Sequence, residues 1–157
     1  MLTLGGNNMY VEEDLIFYDQ PLRDQDQIFD FMADELERKK YVTSGFREAI
    51  KEREQKFPTG LKLDGMNIAI VHTEAEYAKT EKLVIIKLKN PATFHNIETL
   101  EPIDVSLVFG LILSDSEKHL EVLKKLGTLL QNQKIIKDIK NVKSQSELFT
   151  IMKHYFN

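Results

Sequence analysis

A histidine stands at the end of an apolar, β-rich run in the middle of the chain. Residues 67–71 form the run, His72 follows it, and polar Thr73 and Glu74 come next. A strand holds a side chain rigidly and the loop after it exposes that side chain, so this pattern commonly presents a reactive group. Imidazole can accept and release a proton or a phosphoryl group near neutral pH. Most histidines at strand ends are only polar boundary residues, so the reactive interpretation depends on what lies nearby.

An arginine ends the apolar stripe of the preceding predicted helix. Residues 43–55 indicate a helix with Thr43 or Ser44 as its N-cap. One face of this helix holds the residues at i, i+3, i+4 and i+7, which are Phe46, Ala49, Ile50 and Arg53. The planar guanidinium of Arg53 suits the oxygens of a phosphate. Two other interpretations remain open, because Arg53 can also extend over the core into water or pair with a surface acid such as Glu54.

A Pro–Thr–Gly turn follows this helix. Pro58 and Gly60 are expected to end the helix and turn the chain. Thr59 lies between them, and its hydroxyl and the neighbouring backbone N–H groups would be available to the same anion. The turn therefore adds Thr59 and Gly60 to the candidate binding residues.

A second histidine opens a later helix. Ser114 and Glu117 have the spacing of a capping box, which predicts the start of a long helix. The apolar face predicted for this helix contains His119, Leu123, Leu126 and Leu130. Taken alone, His119 is better explained as a core histidine that bonds a backbone carbonyl. The positive end of the helix dipole favours a neutral imidazole and attracts anions, so together with His72 and Arg53 it indicates a phosphate-handling site.

Three motifs in a fixed order resemble a known family. They are Arg53-Glu54-x-x-Phe57-Pro58-Thr59-Gly60-Leu61, Ile68-Ala69-Ile70-Val71-His72-Thr73-Glu74 and Ser116-Glu117-Lys118-His119-Leu120. From about residue 15 to about residue 155 the chain resembles the enzyme IIA component of the bacterial sugar phosphotransferase system. The resemblance is to the mannitol/fructose type, and within that type to the galactitol branch.

The resemblance implies a phosphoryl relay between proteins. His72 would accept phosphate from the phosphohistidine carrier protein HPr and pass it to a cysteine of enzyme IIB, which works with the membrane enzyme IIC. His119 would be the neighbouring stabiliser and Arg53 the phosphate clamp, with no cofactor. The further residues expected around the site are Thr59, Gly60, Thr73 and Glu74. The end acceptor would be a galactitol-, fructose- or mannitol-like sugar, which the permease selects.

The chain departs from the family pattern immediately before the active histidine. Val71 stands where the family usually has proline. If the loop must be stiff, Val71→Pro is expected to stabilise the protein slightly. If the Val71 N–H instead makes a ladder hydrogen bond, Val71→Pro is expected to destabilise the protein and slow transfer. Two alternative functions remain, a nitrogen-type regulatory paralogue and a binding module that has lost transfer. Thr73 after His72 favours the sugar branch, because the regulators usually have glycine there.

Composition indicates one domain, residues 10–157, after a loosely ordered segment at residues 1–9. The chain has 157 residues, is 42% hydrophobic and contains no cysteine, which excludes disulfides and thiolate metal sites. No convincing third ligand joins His72 and His119, so zinc is not expected. The net charge of -4 argues against nucleic acid as a partner. The longest apolar run, residues 105–113, is too short to cross a membrane and no signal peptide is visible, so a cytoplasmic location without membrane insertion is expected.

The order of elements predicts an α/β sandwich, with a mixed sheet and helices on both of its faces. The predicted strands are residues 15–18, 67–71, 83–89 and 105–113, with a turn at 90–91. The predicted helices are residues 24–39, 43–55, 114–131 and 134–139, and a last one that begins after Ser144. The residues expected to face inward from this last helix are Leu148, Ile151, Met152 and Tyr155.

Overall fold

Five strands form one sheet within residues 10–157, the part of the chain that the computed structural model describes. The strands are β1 (Val11–Gln20), β2 (Gly60–Leu61), β3 (Ile68–His72), β4 (Lys82–His95) and β5 (Pro102–Ile112). The helices are α1 (Gln25–Arg38), α2 (Phe46–Lys56), α3 (Ser116–Leu130), α4 (Gln133–Lys140) and α5 (Gln145–Phe156). The segment predicted to be loosely ordered, residues 1–9, lies outside the described residues.

The sheet has the strand order β1-β4-β5-β3-β2 and contains both kinds of pairing. β1 pairs with β4 and β3 with β5 in parallel, whereas β4–β5 and β2–β3 are antiparallel. The predicted mixed sheet is therefore confirmed. β3 lies between β5, which pairs with it from Ile68 to His72, and β2, which pairs with Ile68 and Ala69. This double pairing holds the strand that ends in His72.

Helices cover both faces of the sheet, which confirms the predicted sandwich. On one face α1 and α2 pack against Ala69, Val71 and their neighbours. On the other face α3, α4 and α5 pack against Ile68, with Ile70 at the margin of the same cluster. Because side chains alternate along a strand, His72 shares the face of Ile68 and Ile70. His72 therefore points to the side of the sheet that carries α3.

The N-caps of two helices differ from the prediction. α2 begins at Phe46 after Gly45, which provides no side-chain cap, so neither Thr43 nor Ser44 is the N-cap. The backbone of Thr43 is instead bonded to the carbonyl of Tyr77. α3 is capped by Asp115 rather than by Ser114, because the Asp115 carboxylate accepts the first free N–H groups of the helix.

The buried faces of three helices are rotated from those predicted. α2 buries Phe46, Ile50 and Glu54, with Arg53 at the margin. α3 buries Val122, Leu126 and Leu129 and leaves Leu123 exposed. α5 buries Phe156 instead of Tyr155, while its predicted cap by Ser144 is confirmed. A helix turns about 100° per residue, so a neighbouring residue can replace the predicted one at the margin of a stripe.

β4 continues through the position at which a turn was predicted. Asn90 and Pro91 lie inside the strand, where the register with β5 shifts between Lys87 and Ala92. A bulge of this kind tolerates proline because it leaves a residue outside the hydrogen-bond ladder. The consequence is a long β4–β5 hairpin whose tip, residues 96–101, comes down beside β2.

Candidate functional site

His72 stands at the carboxyl end of β3 with one ring nitrogen buried and the other facing a cleft. Its Nδ1 atom is buried and makes no hydrogen bond to any of the residues 10–157. The ring as a whole is only partly buried, and His72 lines a cleft of about 310 Å³. Nε2 is therefore the atom available to a reacting group. The strand aims the ring, as the sequence predicted, but burial of one edge decides which nitrogen is presented.

His119 lies beside His72 in the first turn of α3. The centroids of the two rings are 5.3 Å apart and their planes meet at 71°. The residue before β4 holds the start of α3 in place, because the Glu81 carboxylate accepts bonds from the backbone N–H of Ser114 at 2.7 Å and from its hydroxyl at 2.8 Å. Asp115 then caps the helix through the N–H groups of residues 117 and 118.

Arg53 reaches the same cleft from α2 on the opposite face of the sheet. Its Nη1 atom lies 3.6 Å from a carboxylate oxygen of Glu74, and its guanidinium carbon lies 5.1 Å from the centre of the Phe57 ring. Its Nε atom is buried and has no hydrogen-bond partner within the described part of the chain. The side chain pairs with Glu74 and not with the adjacent Glu54. A guanidinium held by one long contact retains donors for another anion.

The three predicted residues share one cleft. Its lining contains Arg53, His72, Thr73, Ala75, Leu113, Asp115, Ser116 and His119. A second cleft, of about 290 Å³, adjoins it through Arg53 and His72 and is largely apolar. Its other lining residues are Lys56, Phe57, Pro58, Thr59, Ile97 and Leu100. The amino end of α3 opens onto the first cleft and so contributes the positive end of its dipole.

The electrostatics of the cleft keep both imidazoles neutral. Burial lowers the pKa of His72, and repulsion from Arg53 and from the protonated form of His119 lowers it further, against smaller opposing effects of the Ile70 carbonyl and Glu74. Burial also lowers the pKa of His119, and Arg53 again adds to the effect. A neutral imidazole keeps a lone pair on one nitrogen, which a nucleophile requires. The positive Arg53 at the same time attracts anions.

Thr59 and Gly60 connect α2 to the sheet beside the site. The N–H of Thr59 donates to Glu54 at 2.9 Å and its hydroxyl donates to the other Glu54 oxygen at 2.7 Å. The hydroxyl and the N–H of Thr59, which the sequence predicted to be available to an anion, are thus both engaged with Glu54. At Gly60 a Cβ atom would lie 2.6 Å from the carbonyl oxygen of His95, so only glycine fits against the β4–β5 hairpin. The turn also reaches β3, where the Thr59 carbonyl accepts the Ile70 N–H at 3.4 Å.

Two acidic residues outside the predicted site residues support the site, and one of them, Glu54, is buried and is not the surface acid that the sequence indicated. Glu54 is 4% exposed, and burial raises its pKa to about 7 although Thr59 and Arg53 favour the ionised form. Its position four residues after Ile50 on the buried stripe was the signal available in the sequence. Glu81 had no such signal, because only the tertiary fold brings it to Ser114, 33 residues away.

Two further observations concern the whole described chain. Among residues 10–157 no group of three or more His, Cys, Asp or Glu side chains is arranged to hold a metal ion. No helix in this part of the chain is both long and apolar enough to cross a membrane. His95 ends β4 and His154 lies near the end of α5, so neither belongs to the cleft.

A family model matches almost the whole chain. The model of the family described as phosphoenolpyruvate-dependent sugar phosphotransferase system, EIIA 2, matches residues 9–155. A relative in Escherichia coli K12, the galactitol-specific EIIA component of a phosphotransferase system, is 28% identical over 132 residues. That match covers 84% of this chain and 85% of the relative.

Solved structures share the fold. The nitrogen regulatory protein IIA-Ntr of Neisseria meningitidis superposes with a TM-score of 0.75 and 26% identity, covering 91% of this chain and 96% of that protein. The mannitol enzyme IIA of E. coli, solved in complex with phosphorylated mannitol enzyme IIB, superposes with a TM-score of 0.73. It is 20% identical, and the match covers 98% of this chain and 99% of that protein.

Proposed function

The chain belongs to the EIIA 2 family of the phosphoenolpyruvate-dependent sugar phosphotransferase system, and we propose that it carries a phosphoryl group on Nε2 of His72. The observation that supports this most directly is the cleft in which His72, His119 and Arg53 meet. Sugar phosphotransferase systems move a phosphoryl group from protein to protein. An open cleft with a neutral imidazole and a free guanidinium edge suits such a step.

In the first step His72 accepts the group from phosphorylated HPr. The lone pair of Nε2 forms a bond to phosphorus while the P–N bond of the carrier breaks, and the carrier imidazole keeps the electron pair of that bond. His72 retains a proton on its buried Nδ1 throughout the transfer, so no base has to remove a proton. Positioning and charge stabilisation do most of the work in such transfers.

Three groups stabilise the phosphoryl oxygens during transfer. Arg53 offers guanidinium N–H groups, the amino end of α3 offers the positive end of its dipole, and His119 offers a ring N–H. Glu81 acts indirectly because it fixes the start of α3. Thr59 and Gly60 also act indirectly, since they tie α2 to β3 and so set the distance from Arg53 to His72.

In the second step the phosphoryl group leaves His72 for a cysteine of enzyme IIB. The Nε2–P bond breaks as the thiolate forms an S–P bond, and neutral His72 is restored. Enzyme IIB then serves the membrane enzyme IIC, which selects the sugar. The similarity to the galactitol-specific component supports galactitol, or a related hexitol, as that sugar. These partners imply that the protein works in the cytoplasm.

Both protein partners dock on the apolar surface next to His72. Phe57, Ile97 and Leu100 are 59%, 51% and 61% exposed and lie along the second cleft. Leu120 is 55% exposed and follows His119 directly. Large apolar side chains grouped around a reactive residue are typical of transient protein contacts.

A regulatory role is the second candidate. The similarity to the nitrogen regulatory protein, at 26% identity, favours it. Thr73 after His72 favours sugar transport instead. The two functions share the phosphohistidine and differ in whether the group moves on, so transfer to enzyme IIB separates them.

The first prediction tests the phosphorylated residue. Incubation with enzyme I, HPr and radioactive phosphoenolpyruvate is expected to label the protein once, in an acid-labile, base-stable bond. His72→Gln should abolish the label, because only His72 stands at the end of a strand, in the motif whose histidine the family resemblance makes the phosphoryl acceptor. His95→Gln is the matched control and should be labelled normally. A label that persists in His72→Gln contradicts the assignment.

A further inference from the structure

Glu74 contacts the two side chains, Arg53 and Thr73, that a phosphoryl group on His72 would also contact. One of its carboxylate oxygens, Oε2, accepts a bond from the Thr73 hydroxyl at 3.0 Å and lies 3.6 Å from Arg53 Nη1. Arg53 and Thr73 both line the cleft that His72 faces. In the unphosphorylated protein a carboxylate therefore rests against the same cation and hydroxyl that a phosphorylated ring would approach.

The contact between Arg53 and Glu74 is weak enough for another anion to replace Glu74. The Arg53–Glu74 distance exceeds that of a hydrogen bond, and Arg53 Nε has no partner within residues 10–157. The Glu74 side chain is 53% exposed, so it can swing into water at small cost. By contrast Glu54, the other acid next to Arg53, is buried and committed to Thr59. Of these two carboxylates, Glu74 alone can give way to an arriving anion.

Two negative groups cannot share Arg53 without cost. A phosphoryl group on Nε2 carries close to two negative charges, and Glu74 carries one. Like charges a few ångström apart in a partly exposed site repel each other, and solvent only partly screens the repulsion. The phosphorylated form must either accept this repulsion or release Glu74 from Arg53 and Thr73. In both cases Glu74 makes phosphorylation of His72 less favourable.

We propose that Glu74 is an internal competitor of the phosphoryl group and thereby keeps the phosphoryl-transfer potential of His72 high. The inference rests on the proposed function. A carrier that bound its phosphoryl group too well would accept it and keep it, so a built-in competitor helps the group to move on to a thiolate. The same contact holds Arg53 near the cleft while the protein waits for its donor.

The test is the equilibrium of the exchange between the carrier and His72. Purified full-length protein is mixed with phosphorylated HPr, and the four species are quantified at equilibrium. For Glu74→Gln we expect the equilibrium to shift about fivefold toward phosphorylated His72, and the shift should shrink in high salt because screening weakens the repulsion. An unchanged or opposite shift overturns the proposal, since a carboxylate that merely oriented Arg53 would favour the phosphorylated form.

Glu76→Gln is the matched control. Glu76 lies in the short 3-10 helix Ala75–Tyr77 that follows Glu74, is exposed, and forms no ion pair with the described residues. Its replacement therefore changes the net charge equally without freeing Arg53. An equilibrium constant compares only free species, so weaker docking of HPr alters the rate and leaves the constant unchanged. We expect the control to stay within about twofold of the parent. A shift equal to that of Glu74→Gln would overturn the specific role of Glu74.

A second measurement needs no partner protein and separates this inference from the proposed function. Inorganic phosphate is titrated into the unphosphorylated protein while the ring signals of His72 and His119 are followed by NMR. Glu74→Gln is expected to bind phosphate about fivefold more tightly than the parent, and Glu76→Gln equally to the parent. Failure of HPr to label the parent would reject the proposed function. Equal phosphate affinities of the parent and of Glu74→Gln would reject the role of Glu74 as a competitor.

Discussion

At the scale of single residues, burial shifts the pKa values of the ionisable side chains of the site in different directions. Burial and Arg53 lower the pKa of His72 and leave it neutral, with Nδ1 enclosed and Nε2 presented. The same physical effect raises the pKa of Glu54 to about 7, because a buried carboxylate is costly. As the pH rises, the two histidines therefore lose their protons at a lower pH than exposed histidines do. Glu54 keeps its proton to a higher pH than an exposed acid does.

Glu54 should make stability depend on pH between about 4.5 and 7. Its pKa is higher in the folded than in the unfolded protein, so its contribution is complete below the unfolded value and is lost as pH rises through 7. Relative to Glu54→Gln, the parent is expected to lose about 3 kcal/mol of unfolding free energy over that range. Urea unfolding at a series of pH values measures this difference.

Glu52→Gln is the control for that experiment. Glu52 lies on the same helix, is exposed, and pairs with Lys56 at the surface. Its replacement should leave the pH profile parallel to that of the parent. The lowered pKa values of His72 and His119 act in the opposite sense, since their contribution is lost as pH falls, and they are common to all variants. Parallel pH profiles for the parent and Glu54→Gln would contradict the raised pKa of the buried Glu54 carboxyl.

At the scale of elements, the pairing of β3 decides the effect of the valine before His72. The Ile70 N–H bonds to the Thr59 carbonyl on the β2 side. Because successive N–H groups of a strand point to opposite edges, the Val71 N–H points to β5, where Val71 is in register with Gly110. The side chain of Val71 is fully buried against the α1–α2 layer. The backbone N–H of Val71 therefore belongs to the hydrogen-bond ladder between β3 and β5, so proline at this position would not stiffen a loop.

Val71→Pro is expected to destabilise the protein, which is the second of the two outcomes expected from the sequence. Proline removes the N–H and leaves a buried acceptor on β5 unpaired, at a cost of about 1–3 kcal/mol. Urea unfolding of the variant measures this loss, and the rate of His72 phosphorylation should fall with it. Amide hydrogen exchange of the unaltered protein is an independent check. If the Val71 amide exchanges as fast as loop amides, it does not bond to β5.

At the scale of the whole molecule, the sheet gathers the site from both of its faces. Arg53 comes from α2 on one face and His119 from α3 on the other, and they meet at the end of β3. The β4–β5 hairpin brings Ile97 and Leu100 to the same end, with Leu100 held in a left-handed conformation at φ 64. Such a conformation is unusual for a residue other than glycine, and its apolar side chain is nevertheless presented to solvent. This arrangement suits a surface that docks a partner.

Leu100→Glu should slow phosphoryl transfer without weakening the fold. Its side chain is 61% exposed, so the free energy of unfolding is expected to change by less than about 0.5 kcal/mol. Loss of an apolar contact near the centre of an interface should lower kcat/KM for transfer from HPr on the order of tenfold. Single-turnover transfer measures the effect. Tyr155→Glu, an exposed site on α5 next to the far edge strand β1, is the control and should transfer normally.

The sequence by itself determined the class of fold and the family, and it named the residues on which the proposed chemistry rests. Apolar periodicity is local, so the strand before His72, the α3 turn of His119 and the sandwich of helices and strands followed from it. The three motifs likewise indicated the family that the chain belongs to. Local signals of this kind do not depend on where distant segments pack.

The tertiary structure decided everything that depends on distant partners. Which nitrogen of His72 is free, that Arg53 rests against Glu74, and that Thr59 is engaged by Glu54 depend on how α2, β3 and the loops fold together. The direction of the Val71 N–H required the strand order, and the capping of α3 by Asp115 freed Ser114 to bond Glu81. Hydrogen bonds and burial are properties of pairs brought together by folding, so no stretch of sequence contains them alone.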